Sequence, residues 1–329
     1  MRILLTHSPE TLAGYYGQNA LAGLRKVGEV RTHQGAQPLE RDALVAAARD
    51  CALIVSYRQS PAPASLFERL PGLVAFLRCA VDIRNVDVAA ASKAGVLVTQ
   101  ASAGFVPAVA ELVLGFLVDL SRGIGSAAAG FRAGRVPPAH PGRQLRGSTL
   151  GVIGYGAIGR EVARLGVALG MRVLVCDPYV QTVEEGIAQV GFDELLGGAD
   201  YVVPLAVASP ETENLMNAAA FARMKPGAFF VNVSRGDLVD EAALEAALDS
   251  GRIAGCALDV GRAADQMPAP RLAARKDTIA TPHIGGLTPQ AIEHQSLETV
   301  AQAGEIVAGR IPQGAVNAAH WKRRELIEK

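Results

Sequence analysis

The sequence of 329 residues has only four cysteines, Cys51, Cys79, Cys176 and Cys256. None forms a CxxC pair, and none stands at a metal-ligand spacing from a histidine. Three of them lie in apolar stretches, where a thiol serves as a small apolar side chain. A disulfide scaffold and a zinc site are therefore not expected, and no metal is assigned. Charge of one sign is also missing: 32 basic and 32 acidic residues give a net charge of +0. Nucleic-acid-binding surfaces show a basic excess, so no such partner is expected. Lysine is scarce, with 6 residues against 26 arginines, which reads as a genome-composition bias. Long apolar runs are absent as well. The most apolar helical stretch, Leu112 to Val118, lies between Glu111 and Asp119 and is too short to span a bilayer. The opening residues reach His7 and Pro9 too soon for a signal-peptide apolar region. These absences predict a soluble, cytoplasmic chain with no membrane partner.

What is present is apolar content of 50%, enough for each of roughly two domains to bury a core. Short β-branched runs alternate with helical patterns. The runs predict strands at Arg2–Thr6, Val30–Thr32, Ala52–Ser56, Val74–Leu77 and Val96–Thr99. Further on they predict Leu150–Ile153, Val173–Cys176, Tyr201–Val203, Ala228–Val233, Ala254–Leu258 and Thr278–Thr281. Their continuous apolar character fits strands covered on both faces, and the alternation implies parallel sheets with right-handed crossovers. A boundary falls near Ser102. Two long helical patterns, about Pro107 to Arg122 and Pro289 to Val307, interrupt the rhythm and suggest two lobes with a cleft. Val136–Gly142 reads as a loop. The charged tail His320–Lys329 reads as a solvated helix or frayed end.

Residues 150–179 read LGVIGYGAIGREVARLGVALGMRVLVCDPY. An apolar strand runs into Gly154-Tyr-Gly156-Ala-Ile-Gly159, a helix follows, and the next strand ends at Asp177. In that context the glycine spacing is a dinucleotide fingerprint. Gly154 permits the tight turn, Gly156 lets backbone approach a pyrophosphate, and Gly159 lets helix and strand pack closely. The N–H groups of Ala157 and Ile158 and the helix dipole favour the phosphates. Asp177 would accept from the ribose hydroxyls and repel a 2′-phosphate, so the cofactor expected is NAD (NADH).

Ligands on doubly wound sheets sit beyond the carboxyl ends of the strands. Three polar residues fall there: Arg235 in Val-Asn-Val-Ser-Arg-Gly-Asp, Asp259 after Ala254–Leu258, and His283 in Thr-Pro-His-Ile-Gly-Gly. This set suits reduction of a 2-oxo acid. A guanidinium holds the carboxylate bidentately, an imidazole gives or takes the proton, and a neighbouring carboxylate favours the protonated ring. By the same strand-end logic Tyr57 and Arg58 are weak substrate candidates.

The motifs GVIGYGAIG, MKPGAFFVNVSRGDLVDEAAL from Met224, GRIAGCALDV from Gly251 and TPHIGG from Thr281 resemble the D-isomer-specific 2-hydroxyacid dehydrogenase family over nearly the whole chain. The resemblance implies an α/β fold of two doubly wound parallel-sheet domains. A Rossmann NAD-binding lobe, 102–284, would be inserted into a flavodoxin-like substrate lobe, 1–101 plus 285–329. It implies a homodimer acting on a small 2-oxo acid or 2-hydroxy acid. Residue by residue, Arg235 matches the carboxylate-binding arginine, His283 the acid/base, and Asp259 the aspartate near the nicotinamide. Val233, Ala206 and Val207 match backbone lining the cofactor, and Gly285 and Gly286 follow the histidine.

Two departures stand out. The family places a Glu five positions beyond the strand-ending aspartate, where this chain has Ala264. One extra residue before His283 would put Asp265 in the Glu's place as the third catalytic residue, with Gln266 the rival, as in formate dehydrogenases. The family's Gly-x-Gly loop, whose N–H groups hold the substrate carboxylate, is here Ala80, Val81 and Asp82. Arg84 stands where an acid is common; it either binds a second anionic group or forms a surface pair with Asp82 or Asp87. The main reading is an NAD-dependent reductase. The rivals are an NAD-sensing, corepressor-like binding protein on the same fold and a formate-type dehydrogenase.

Overall fold

A computed structural model describes residues 1–181 and 184–327. The chain forms two compact units, Met1–Gly104 with Pro289–Lys329, and Phe105–Thr288.

The first unit carries β1 (Arg2–Leu5), β2 (Glu29–Thr32), β3 (Leu53–Ser56), β4 (Ala75–Arg78) and β5 (Leu97–Gln100). They pair in parallel in the order β2-β1-β3-β4-β5, the flavodoxin-like order with its reversal between β1 and β3. β3 and β4 are buried throughout, whereas β2, an edge strand reading EVRT, alternates exposed and half-buried. The edge at β5 is closed by the end of the chain. Asn317 accepts from the Val98 N–H at 2.8 Å and donates to Val96 O at 2.9 Å. The helix Pro289–Val307 joins the same core through Ala303 and Ile306.

The tail is solvated as expected at His320, Lys322, Arg324, Glu325 and Leu326, but it is anchored at Trp321 and Arg323. Trp321 is only 8% exposed and sits in one cluster with Ile3, Leu97 and Ile306. Arg323 donates to the carbonyls of Leu70 and Leu73 at 2.6 and 2.9 Å. The apolar Trp321 and the Arg323 contacts hold the segment in, against its charge. Glu328 and Lys329 of that tail lie outside the described residues.

The second unit carries β6 (Thr149–Ile153), β7 (Arg172–Cys176), β8 (Ile187–Gln189), β9 (Tyr201–Pro204), β10 (Ala228–Asn232), β11 (Ile253–Leu258) and β12 (Thr278–Ala280). All pairs are parallel, in the order β12-β11-β10-β9-β6-β7-β8. This is the Rossmann order extended by one strand, with the reversal between β6 and β9. β8 is not foreseen in the sequence. It is a three-residue edge strand, nowhere fully buried, and has no apolar run to announce it.

The helix Val106–Arg122 buries Val109, Val113, Phe116 and Leu117 against this sheet. A second helix, Ile124–Arg132, follows after Gly123 in the left-handed region and is also not foreseen. It buries only Gly130 and so lacks the apolar stripe that marks a helix in sequence. Among the described residues no single helix is long and apolar enough to cross a membrane.

Candidate active site

The glycine turn between β6 and the helix Ala157–Ala168 sits at the reversal point of the second sheet. Gly154 has φ +98°, and a Cβ there would lie 2.6 Å from the Ala206 nitrogen, on the segment leaving β9. A Cβ on Gly159 would lie 2.1 Å from Gly154 O, so the helix seats on the turn only without a side chain. At Gly156 a Cβ would meet nothing within 4 Å. That glycine is the helix N-cap, and no side chain caps the helix. The first-turn N–H groups of the helix are therefore left without a side-chain cap, with the positive end of the dipole behind them, which fits a pyrophosphate.

Asp177, just past the end of β7, closes this turn. Its carboxylate accepts from Tyr155 N at 2.7 Å, Tyr179 N at 2.8 Å and Val180 N at 3.1 Å. Burial pushes its carboxyl up, but those three N–H groups, with Arg160 nearby, hold it below the ordinary carboxylate range. The sequence gives no hint of this second task. Ala206 accepts from Ser234 Oγ at 3.2 Å, and Val207 beside it is exposed. Val233, one residue past β10, is buried.

β10, β11 and β12 are neighbours, with Asn232 opposite Leu258 and Leu258 opposite Ala280. Arg235 and His283 each stand three residues beyond that common level, on strands about 10 Å apart. The Arg235 turn is built by Asn232. Its buried amide donates to Arg235 O at 2.9 Å and accepts from Ser234 N at 3.1 Å. The Arg235 guanidinium is half-buried and donates to Ser234 O at 2.8 Å.

Asp259 carries the His283 turn. The residue is 1% exposed. It accepts from Thr281 Oγ1 at 2.6 Å, Ile284 N at 2.7 Å and Gly285 N at 2.8 Å. A buried carboxylate with three donors is a strong local organiser. A Cβ at Gly285 would lie 2.9 Å from Asp259 Oδ2, so that glycine is set by the contact. The neighbouring Gly286 is exposed. The result is a tight turn in which His283 adopts φ +55°, its N–H donating to Thr281 O at 3.0 Å.

His283 Nδ1 stands 3.1 Å from Asp265 O. A carbonyl only accepts, so Nδ1 carries the proton and Nε2 is left with its lone pair. The expected partner residue thus meets the ring through its main-chain oxygen. The reason is local. Asp265 and Gln266 both take left-handed φ, 54° and 58°, and fold the loop back so that Gly261 N meets Gln266 O at 2.9 Å. Gln266 Oε1 is buried without a hydrogen-bond partner.

The first-unit candidates fare differently. Arg84 pairs with Asp82 through Nε at 3.1 Å and Nη2 at 2.7 Å, the surface pair foreseen as one option. Ala80 and Val81 are half-buried, and Ala80 O accepts from Ala101 N at 3.1 Å. Arg58 is half-buried and its carbonyl accepts from the Asn85 amide at 3.0 Å. Tyr57 does not reach outward. It is buried, with ring centroids 5.2 Å from His7 and 5.6 Å from Tyr15.

Beneath it lies Arg78, which sequence reasoning missed. The guanidinium is fully buried and donates to the carbonyls of Tyr57 and Ser60 and to Asn85 Oδ1. Burial lowers it to about 10. Only its place in a strand-end triplet, Leu-Arg-Cys, could have flagged it. His7 is equally sealed, with neither ring nitrogen hydrogen-bonded. Burial, reinforced by the Arg78 charge, drives its imidazole down to about 3. Among the described residues no group of three or more His, Cys, Asp or Glu is placed to hold a metal ion.

This arrangement has known counterparts. The family profile described as D-isomer specific 2-hydroxyacid dehydrogenase, NAD binding domain, matches residues 114–285. The chain belongs to that family. A Thermus thermophilus structure, the TT0316 protein, superposes with a TM-score of 0.86 at 31% identity, over 96% of this chain and 100% of that one. The apo D-lactate dehydrogenase of Escherichia coli superposes with a TM-score of 0.80 at 26% identity, over 96% and 100%. Among curated relatives, a chloroplastic D-3-phosphoglycerate dehydrogenase of Arabidopsis thaliana is 38% identical over 248 residues, 73% of this chain and 42% of its own length. The chain spans about half the length of the curated relatives it matches. The match places the NAD-binding domain of the family on the second unit, where the glycine turn, Arg235 and His283 all reside.

Proposed function

We propose that this chain reduces a small 2-oxo acid with NADH, reversibly, to the D-2-hydroxy acid. Bound at the Gly154–Gly159 turn, the cofactor supplies the hydride. Gly156, Ala157, Ile158 and Gly159 would hold its pyrophosphate, Asp177 its ribose hydroxyls, and Ala206, Val207, Val233 and Gly286 would line it. Arg235 holds the acid's carboxylate in a two-point grip and polarises the carbonyl. His283 Nε2 supplies the proton to the carbonyl oxygen and takes it back in the reverse direction. Asp259 fixes the turn that presents the ring, and Asp265 fixes the ring's tautomer through its carbonyl.

The observation that carries this reading is the His283 contact. A ring whose Nδ1–H is committed to main chain leaves one nitrogen for proton exchange. Four unpaired thiols fit a reducing, cytoplasmic setting. The exposed Ile124, Phe131 and Val136, 55%, 63% and 84% accessible, support a homodimer formed through the second unit.

The test is loss of the reduced nicotinamide's absorbance with glyoxylate, hydroxypyruvate, pyruvate, phenylpyruvate and phosphohydroxypyruvate. Turnover of at least one is expected. Tight NADH binding with no turnover on any would replace this reading with that of a cofactor sensor. Formate-dependent NAD reduction would replace it with that of a formate-type enzyme.

A further inference from the structure

The opposite edge of the second sheet, at the amino ends of its strands, carries a concavity of about 400 Å³. Its floor is Val118, Leu145 and Leu169, and its rim is Arg122, Arg143 and Arg146. β6, five residues long, separates it from the glycine turn by roughly 15 Å of strand.

The three guanidinium groups are seated. Arg143 lies over the Phe229 ring, 5.1 Å from its centroid, and its N–H donates to Ser121 O at 2.9 Å. Arg146 packs on Gly170, where a Cβ would come within 2.9 Å of Nη1. Arg122 packs on Gly142, where a Cβ would come within 2.8 Å of Cδ. Several other exposed arginines, Arg271 and Arg310 among them, hold carboxylates. Among the described residues none of these three has one, and no acid lines the concavity. Two helices, Val106–Arg122 and Ala157–Ala168, end here. Each helix end offers roughly half a negative charge, so about two of the three positive charges stay unbalanced.

We propose that this concavity is a second ligand site, for a small molecule bearing at least two phosphate groups. An anion bridging two guanidinium forks gains charge-assisted, bidentate contacts, and the apolar floor takes the ligand's carbon frame. The site is separate from the NAD turn and does not depend on the reaction proposed above.

The test is calorimetric titration of pyrophosphate into the NAD-saturated protein, so that the glycine turn is already filled. Saturable binding at one site per chain is expected, weakening with salt and falling about tenfold or more in Arg122→Gln/Arg146→Gln. Both residues are exposed, so the fold should survive; a circular dichroism melt checks that, and Arg143→Gln, which leaves both in place, is the second variant. No saturable binding, or binding that neither variant weakens, overturns the proposal. So does a double variant that shifts the oligomeric state by sedimentation while the parent binds no pyrophosphate, because the rim then belongs to a subunit contact.

Discussion

At the carboxyl ends of β1, β3 and β4, the side chains of His7, Tyr57 and Arg78 turn inward and are sealed from water. At the carboxyl ends of β10 and β12, Arg235 and His283 stay half-buried, while Asn232 and Asp259 beside them are sealed. Both sheets are parallel and both place polar residues where such sheets bind ligands. The difference lies in what satisfies those residues. In the second unit Asn232 and Asp259 take up main-chain groups and leave the Arg235 and His283 side chains half-buried. In the first unit the guanidinium does that work itself, on the carbonyls of Tyr57 and Ser60. A polar residue at a strand end marks a site only when something else satisfies the turn.

The comparison can be broken most sharply at His283. His283→Gln should lower kcat by about 10²- to 10⁴-fold, with NADH affinity, read by fluorescence, changed less than about twofold. A variant with near-normal kcat would make the second sheet's rim as inert as the first's.

The next test is His7. Its folded-state pKa lies far below its unfolded value of 6.5, so the unfolded chain takes up the proton first. Stability is then fully present above pH 6.5 and is lost as pH falls toward 3. Each pH unit in that window should cost about tenfold in the folding equilibrium. His7→Phe should flatten that slope in urea melts of the first unit; an unchanged slope would mean the site is wet.

A smaller effect belongs to Asp177. Its folded pKa is depressed below 3.8, so its contribution is present above that value and fades as pH falls through the depressed one. The stability gap between the parent and Asp177→Asn should be constant near neutral pH and close in acid. A gap that widens in acid would contradict the three N–H contacts.

Much of this was legible in the sequence, and the limits have physical causes. Most of the eleven strand runs were readable because parallel strands covered on both faces must be continuously apolar; β8, half-buried at an edge, carries no such mark. The glycine fingerprint was readable because close approach forbids a Cβ. The contact of His283 with the main-chain oxygen of Asp265 was not, since a carbonyl oxygen is the same in every residue and leaves no trace in residue type. Tyr57 was misplaced because a phenol at a strand end suits a rim or a core equally, and the neighbours that decide, His7 and Tyr15, are some 40 to 50 residues away. The anchoring of the tail was missed because its many charges outvoted one indole.

That indole has a practical consequence. Trp321 is the sole tryptophan in the chain and is packed wholly within the first unit. Its emission is therefore a built-in optical gauge of that unit alone. In the cofactor-free chain it lets melting of that half be followed without labelling.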